Sequence, residues 1–374
     1  MKPPSLRVAF DARMLAMTGI GRYIRTLLPV LQPLAASSGM HLLAMVPRGV
    51  TDVPVASKLS VLSAPFSPFA QVELPALLAW RSVGLLHSPH FEVPVVSSAK
   101  QVTTIHDCAP DVVPGEMSSS WARVYYRLMM AAAIRRSDRI IAVSSFTQKE
   151  LCRLHGVPLE RVTVIPEGVD PDSMIASPSP SSSHFAVLRK YGLTGSYGIY
   201  VGMTRPRKNL GTLLRALGLV FAEIGPEHQF VFVGRPDTRF MDLRAEAEAL
   251  GLTGHIVITG YVPDEELAIL YSRAAFCAFP SLYEGFGLPV LEAMAVGTPV
   301  VTTTASAIPE VAGDAALMVD PLDTEAMAGA MLSLFRDEHL RDQLREKGFA
   351  RVRQFPVQAC AEATLSVYQE VLND

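Results

Sequence analysis

The stretch "FPSLYEGFGLPVLEAMAVGTPVV", Phe279 to Val301, decides the fold class. An apolar strand is predicted to end near Phe279, and a loop that contains two glycines follows it. Pro289 suits the first turn of a helix that runs to about Ala295, and "TPVV" begins another apolar run. A strand, a glycine loop, a helix and a second strand in this order are typical of an α/β domain with a parallel sheet.

The same alternation of short apolar runs and helical stretches extends along the chain. One series, from "LRVAFDA" to "RIIAVSS", precedes residue 172, and a second, from "YGIYVG" to "ALMVD", follows residue 185. The Ser/Pro-rich segment "DPDSMIASPSPSSSHF" between them is typical of a linker. We therefore predict two doubly wound α/β domains, residues 1–172 and 186–355, joined by a linker at 173–185. Ligands are expected at the carboxyl ends of the strands, in the cleft between the domains.

The composition excludes several classes of protein. Apolar residues make up 49% of the 374 residues and charged residues 18%, which favours folded cores over disorder. Residues 1–170 carry 17 basic and 12 acidic side chains, whereas residues 171–374 carry 16 and 24, so the halves differ in sign. This asymmetry favours two units with different partners. No dense basic run occurs, and nucleic acid is not an expected partner.

Apolar runs are all interrupted before eighteen residues, so no membrane span is predicted. The start, "MKPPSLRVAFDARML", lacks the long uncharged core of a signal peptide, and a cytoplasmic location is expected. The four cysteines form no CxxC pair, which argues against a disulfide framework and a zinc site.

The first candidate site is the glycine loop of the deciding stretch. Gly285 and Gly287 let the backbone approach a ligand closely, and the helix that follows presents free N–H groups to an anion or to hydroxyl oxygens. Glu284 and Glu292 lie eight positions apart, and a carboxylate can accept bonds from two vicinal hydroxyls. The alternative is that both glutamates are solvated surface charges.

A second candidate is the basic loop in "YVGMTRPRKNLGTLLRAL", residues 200–217. A buried strand is predicted to end at Gly202 and a helix to begin near Leu210, with Arg205, Arg207 and Lys208 between them. Guanidinium forks together with an ammonium group suit a diphosphate. No Walker A motif is present, and a solvated basic loop is the alternative.

Weaker signals lie elsewhere in the chain. In "GIGRYI", Gly19 and Gly21 are expected in a loop ahead of a helix, near a phosphate or a sugar. The next residue that a dinucleotide fingerprint requires to be glycine is Ile24, so that fingerprint fails. His106 is predicted to follow a strand, next to Asp107. It is either one half of a structural pair with Asp107 or a functional residue of the cleft. Two further patterns could suggest a metal, the D-x-D spacing of Asp170 and Asp172 and the pair His87 and His90. We expect no metal site at either of them.

Together these motifs resemble the retaining glycosyltransferases of the GT4 group, which have the GT-B fold of two facing Rossmann-like domains. The residues that carry the resemblance are "EGFGLPVLE", "GMTRPRKN", the "HD" at His106, "AVSSFTQKEL" and "VIPEGVD". The resemblance covers the chain from Phe10 to about Asp323.

The resemblance also implies roles for individual residues. Glu292 would hold the ribose, Glu284 would meet the transferred sugar, Lys208 would bind the diphosphate, and His106 would lie beside the donor sugar. His106, Lys208 and Glu284 are therefore the expected catalytic residues. The other expected donor-binding residues are Arg205, Arg207, Gly285, Phe286, Gly287, Leu288, Gly21, Tyr261 and Val262.

This sequence departs from the family pattern at Met203, where an arginine is usual. Arg205 or Arg207 must then supply the second cation, and spacing does not choose between them. By the same resemblance, a last helix at about 357–372 returns to the N-terminal, acceptor-side domain.

The expected reaction is retaining transfer of a hexose from a nucleoside-diphosphate sugar to a hydroxyl acceptor, without metal or cofactor. The opening "FDARML…TGIGRY" most resembles users of GDP-mannose, and dTDP-rhamnose and UDP-glucose are alternative donors. A glycan or a lipid-linked glycan is the expected acceptor. A bilobal sugar-binding protein and a nucleotide-sugar dehydrogenase or epimerase are the alternatives from other classes.

A basic helix offers a contact with membranes. The helix predicted at "WARVYYRLMMAAAIRRSDR" places Arg123, Arg127, Arg135 and Arg139 at multiples of four. Such a face suits a peripheral contact with an anionic membrane, and a solvated helix face is the alternative.

Overall fold

The structure, a computed structural model, describes residues 6–17, 19–50, 55–171, 181–235 and 237–374. Contacts divide the chain into two units. Unit 1 comprises the described residues within Met1–Cys108, Ser119–Gly168 and Phe355–Asp374, and unit 2 those within Ala109–Ser118 and Val169–Gln354. The chain therefore passes from one unit to the other more than once.

Unit 1 contains a parallel sheet of seven described strands in the order β3-β2-β1-β4-β5-β6-β7. The strands are β1 (Leu6–Asp11), β2 (Met40–Pro47), β3 (Lys58–Val61), β4 (Leu85–Ser88), β5 (Lys100–Ile105), β6 (Arg139–Ala142) and β7 (Val162–Val164). Its helices are α1 (Gly19–Ser37), α2 (Ala70–Trp80), α4 (Ser120–Arg136), α5 (Ser145–His155) and α14 (Val357–Asn373). The short helix α3 (Ala109–Val112) groups with unit 2.

Unit 2 contains a second parallel sheet, of six described strands in the order β10-β9-β8-β11-β12-β13. The strands are β8 (Tyr197–Val201), β9 (Gln229–Val233), β10 (Ile256–Gly260), β11 (Phe276–Phe279), β12 (Val300–Thr303) and β13 (Ala316–Val319). Its other helices are α6 (Ser181–Lys190), α7 (Leu210–Glu223), α8 (Leu243–Ala249), α9 (Asp264–Arg273), α10 (Leu288–Ala295), α11 (Ile308–Ala312), α12 (Thr324–Arg336) and α13 (Glu338–Val352). The prediction of two Rossmann-like domains with parallel sheets is confirmed.

The central strands of the two sheets, such as β4 and β11, are fully buried, as is typical of parallel strands covered by helices on both faces. In unit 1, Val8, Phe10 and Leu85 of the sheet lie in one core with Leu27 of α1 and Tyr368 of α14. The core of unit 2 joins the sheet to α7, α8 and α12. Gly198 of β8 has no room for a side chain, since a Cβ atom there would lie 2.7 Å from the ring of Phe276.

The structure corrects two predictions about local elements. The predicted linker 173–185 lies outside the described residues as far as residue 180, but Ser181 already begins α6. Serine is favoured where helices begin, and "AVLRK" further along consists mostly of good helix formers. Arg139 does not share a helix with Arg123 and Arg127, because α4 ends at Arg136 and Arg139 begins β6.

Among the described residues, no helix is both long enough and apolar enough to cross a membrane.

Candidate active site

Strand order determines where unit 2 can bind a ligand. From β8 the chain builds the sheet outward through β9 and β10, and then returns to the other side of β8 with β11. The point between β8 and β11 is a topological switch point, where open α/β sheets bind ligands at the carboxyl ends of their strands. A 3₁₀ turn at Pro206–Lys208 follows β8, and the glycine loop follows β11. The fold thus brings both sequence motifs to one place.

Glu284 is the centre of a buried ion cluster. The Lys208 ammonium group lies 2.6 Å from Oε1 of Glu284, and an Arg207 guanidinium nitrogen lies 2.6 Å from Oε2. Glu284 and Lys208 are each only 7% exposed. Burial by itself would raise the pKa of Glu284, but the charges of Arg207 and Lys208 and a hydrogen bond from Lys208 hold it below the ordinary value. Glu284 is therefore ionised, and its charge is shared by two cations.

The structure separates the two arginines that the sequence left equivalent. Arg207 contacts Glu284, and its Nε also lies 3.2 Å from Oε1 of Glu116. The guanidinium group of Arg205 instead lies over the ring of Phe240, at 4.6 Å, and donates to the backbone oxygen of Glu116 at 3.2 Å. Arg205 also lines a cavity of about 160 Å³. Arg207 is thus the arginine that extends the cation pair at Glu284.

Hydrogen bonds fix the two loops to each other. The side chain of Asn209 donates to the backbone oxygens of Pro280 and Pro321, at 3.1 and 2.7 Å, and the amide of Leu282 donates to the oxygen of Arg207 at 2.8 Å. The amide of Glu284 donates to the Ser306 hydroxyl at 2.8 Å. Because both loops are anchored through their backbones, the charged groups are held in position before any ligand binds.

The glycine loop leads directly into α10. The helix spans Leu288–Ala295, as predicted, and Gly287 precedes it with a φ of +119°, which suits glycine. A Cβ atom at Gly287 would lie 2.8 Å from Cδ1 of Ile308, so the position also lacks space. Gly285, Phe286 and Leu288 are buried. The helix N-terminus, with its partial positive charge, therefore lies immediately after Glu284 in the chain.

The alternative of solvated glutamates is wrong for both members of the pair. Glu292, in the second turn of α10, is 5% exposed, and Glu284 is equally inaccessible. Burial and the charge of Glu292 both raise the pKa of the Cys277 thiol in β11. Glu292 is a buried carboxylate at the same switch point.

Tyr261 and Val262 follow β10, which lies two strands from β8 in the sheet. Tyr261 is 65% exposed and has the guanidinium group of Arg235 over its ring at 5.6 Å, whereas Val262 is buried. The two residues thus follow a strand that is separated from β8 by β9.

In unit 1, His106 follows β5 and pairs with Glu167. Its Nδ1 lies 2.6 Å from a carboxylate oxygen of Glu167, and its Nε2 lies 3.0 Å from the backbone oxygen of Pro89. Since both partners are acceptors, the doubly protonated imidazolium satisfies both bonds. Burial would lower the pKa of His106, but the hydrogen bond and charge of Glu167 raise it above the ordinary value. The half-buried His106 is thus held by a carboxylate that favours its protonated form.

Comparison with known proteins adds the family. Residues 18–173 match Glycosyltransferase Family 4, and residues 193–351 match Glycosyl transferases group 1. The chain is 33% identical to the O-antigen chain mannosyltransferase B of Escherichia coli over 286 residues, 76% of this chain and 74% of that one. It belongs to the family 4 glycosyltransferases.

Two further relatives extend the comparison. The serotype-specific mannosyltransferase WbdA of Escherichia coli is 30% identical over 228 residues, which are 60% of this chain but only 28% of that longer one. Anabaena HepE, in a crystal structure with UDP and glucose, superposes with a TM-score of 0.79 at 18% identity, over 98% of this chain and all of that one. The GT-B fold predicted for this glycosyltransferase is confirmed, and so is its class of enzyme.

Two acidic residues of the charged clusters, Glu116 and Glu167, were not among the predicted site residues. Glu167 lies in the motif "VIPEGVD", which carries the family resemblance but does not indicate its contact with His106. Glu116 lies in Ala109–Ser118, a segment that groups with unit 2 although unit 1 residues flank it. The pairing of Glu116 with Arg207 and of Glu167 with His106 is visible only in the tertiary fold.

A third missed cluster lies at the switch point of the unit 1 sheet, between β1 and β4. Asp11 ends β1 and binds the Arg13 guanidinium group through two oxygens, the closest at 2.7 Å, and a Glu92 oxygen lies 3.6 Å from Arg13. All three side chains are buried. Arg13 is thus neutralised by carboxylates of its own unit.

Other candidates are placed differently from the prediction. Gly21 lies within the first turn of α1 and not in a loop ahead of it. A Cβ atom at Gly21 would stand 2.5 Å from the backbone oxygen of Leu15, so the position has no room for a side chain. His87 uses both ring nitrogens on hydroxyl groups, Tyr368 at 2.5 Å and Thr104 at 2.8 Å. Asp172 lies outside the described residues.

Proposed function

We propose that this glycosyltransferase moves a hexose, mannose from GDP-mannose, onto a hydroxyl of a glycan or lipid-linked glycan, with retention of configuration. The observation that carries the proposal is the pair of cations, Arg207 and Lys208, held at the switch point beside the N-terminus of α10. A leaving nucleoside diphosphate develops negative charge where these groups lie, and fixed cations stabilise such charge most in a site that excludes water.

The proposed chemistry requires few groups from the protein. The bond from the anomeric carbon to the diphosphate oxygen breaks, the acceptor oxygen bonds to that carbon on the same face, and the departing phosphate oxygen takes the acceptor's proton. Glu284 is engaged by Arg207 and Lys208, and we assign it to orienting the sugar and not to attack on the anomeric carbon. Glu292 would accept hydrogen bonds from the hydroxyl groups of the ribose. The cations replace a metal ion in this scheme.

The choice of mannose is supported by two relatives that are named mannosyltransferases, an O-antigen chain mannosyltransferase and a serotype-specific one. A UDP-sugar is the second candidate donor, because the similarly folded HepE was crystallised with UDP and glucose. We propose GDP-mannose first, since the sequence relatives share more identity with this chain than the structural one does.

The test is a donor panel with and without chelator. We expect GDP-mannose, among GDP-mannose, UDP-glucose and dTDP-rhamnose, to give the most free nucleoside diphosphate when a lipid-linked glycan fraction is added. EDTA should leave that rate unchanged, because Lys208 and Arg207 neutralise the leaving group. Loss of turnover in EDTA, with recovery on adding Mn²⁺ or Mg²⁺, would contradict the metal-free scheme and return attention to Asp170 and Asp172.

A peripheral membrane contact through α4 is part of this proposal. Trp121, Val124 and Leu128 are 80, 45 and 61% exposed and recur at helical spacing on one side of α4. Arg123 and Arg127 are exposed beside them, and the helix carries no acidic residue. An apolar stripe flanked by cations suits the surface of an anionic bilayer, the place where lipid-linked acceptors are found.

We expect the protein to sediment with vesicles that contain phosphatidylglycerol and not with phosphatidylcholine vesicles. Replacing both Arg123 and Arg127 by glutamine should weaken binding roughly thirtyfold, at about 1 kcal/mol per cation near the surface. The matched control replaces Arg244 and Arg353, two exposed arginines of unit 2. Equal binding by both double variants would exclude α4 as the contact.

A further inference from the structure

The segment Ala109–Ser118 carries a carboxylate into the ion cluster of unit 2. Glu116 is 7% exposed, its Oε1 lies 3.2 Å from Nε of Arg207, and its Oε2 lies 3.4 Å from the backbone nitrogen of Arg207. Arg205 holds the same segment through the backbone oxygen of Glu116, at 3.2 Å. The Glu116 carboxylate therefore contacts the basic loop to which we assign the donor diphosphate.

Charge balance shows what such a contact does. Arg207 and Lys208 supply two positive charges, and Glu284 and Glu116 supply two negative ones. A diphosphate that approaches Arg207 and Lys208 meets repulsion from both carboxylates, and its attraction to the two cations increases if one carboxylate leaves.

The geometry indicates which carboxylate can leave. Glu284 accepts bonds of 2.6 Å from each of the two cations, and its backbone amide is bonded to Ser306. The contacts of Glu116 with Arg207 are longer, at 3.2 and 3.4 Å. Gly115 and Met117 beside it are not buried, whereas the loop of Glu284 is. The segment around Glu116 is therefore less tightly packed than the loop around Glu284.

We propose that Glu116 is an internal competitor of the donor diphosphate: its carboxylate occupies Arg207 and moves away when a nucleoside diphosphate binds. The inference rests on the proposed function, and it makes Glu116 a determinant of nucleotide affinity. It also provides for product release, since the carboxylate competes for Arg207 with the nucleoside diphosphate that remains after transfer. If only a fraction of the molecules have Arg207 released from Glu116, the apparent Kd of the nucleotide is the intrinsic Kd divided by that fraction.

The first test measures nucleotide affinity by calorimetry with GDP, UDP and dTDP. Glu116→Gln should lower the Kd of the nucleotide that binds by about tenfold, as expected if the cation is free in roughly a tenth of wild-type molecules. Glu346→Gln, which removes an exposed acid of α13, is the charge-matched control and should leave the Kd unchanged. An unchanged or higher Kd in Glu116→Gln, in protein that melts like the wild type, would overturn the proposal.

The second test needs no variant. Binding of the same nucleotide should speed amide hydrogen exchange in residues 109–118 of the wild-type protein, because the segment loses its contact with Arg207. Slower or unchanged exchange in that segment on binding contradicts the release of Glu116. If neither wild type nor Glu116→Gln binds any of the three nucleotides, the proposed function fails and this inference fails with it, whereas nucleotide binding without the Glu116 effects refutes the inference alone.

Discussion

Lys208→Ala should lower kcat about a hundred- to thousandfold, the loss typical of removing one preorganised electrostatic group from a transition state. Two features of the structure support an effect of this size. The Lys208 ammonium group is buried, so water cannot replace it. Its removal would also take away one of the two cations that contact Glu284 and leave Arg207. The measurement is the rate of nucleoside diphosphate release at saturating donor.

Lys347→Ala is the matched control for that variant. Lys347 lies in the same unit and pairs with Asp314 at 3.0 Å, but its side chain is 50% exposed, so the loss should be small. Arg207→Ala should also be strongly impaired, and Arg205→Ala less so, because Arg205 points to Phe240. Retained activity in Lys208→Ala together with loss in Arg205→Ala would place the diphosphate elsewhere on the loop.

Glu284→Gln and Glu292→Gln should separate sugar contact from nucleotide contact. At a hundred times its Kd a nucleoside diphosphate stabilises the fold by about 2.7 kcal/mol, a rise of several degrees at roughly 2–4 °C per kcal/mol. That rise should shrink in Glu292→Gln, since an amide cannot accept from both ribose hydroxyls. In Glu284→Gln the rise should persist while transfer falls by about a hundredfold.

The two variants should also differ without nucleotide. Glu284→Gln should melt several degrees lower than the wild type, because a neutral amide removes the buried carboxylate charge that both Arg207 and Lys208 contact at 2.6 Å, a loss of about 1–3 kcal/mol. The midpoint from calorimetry or fluorescence measures this. Nucleotide stabilisation that disappears in Glu284→Gln and survives in Glu292→Gln would reverse the assigned roles.

Sequence reasoning succeeded where a local pattern has one structural solution. The apolar runs predicted both parallel sheets, and Pro289 with its two preceding glycines predicted α10 and the loop before it. Once β8 and β11 are neighbours, the basic loop and the glycine loop must meet, so the site could be located from two separate motifs.

The rest depends on contacts between segments far apart in the sequence. Spacing could not distinguish Arg205 from Arg207, because the difference arises from the positions of Phe240 and Glu116. The mutual pairing of Lys208 and Glu284 was equally invisible, since each was assigned to a different part of the donor. Gly21 was predicted ahead of the helix, but α1 already begins at Gly19. The backbone oxygen of Leu15 fills the space beside Gly21 that a side chain would need.

The position of α14 has a consequence for how the protein is made on the ribosome. Its Cys360, Ala361 and Tyr368 are part of the unit 1 core together with β1 and α1. The amino-terminal sheet therefore emerges from the ribosome long before its final covering helix, since α14 begins at Val357 and β1 and β4 end at Asp11 and Ser88. During that interval His87 lacks the Tyr368 hydroxyl that it binds in the finished fold. The half that is translated first therefore exposes part of its apolar core until α14 is made, and transiently exposed apolar surface of this kind favours aggregation.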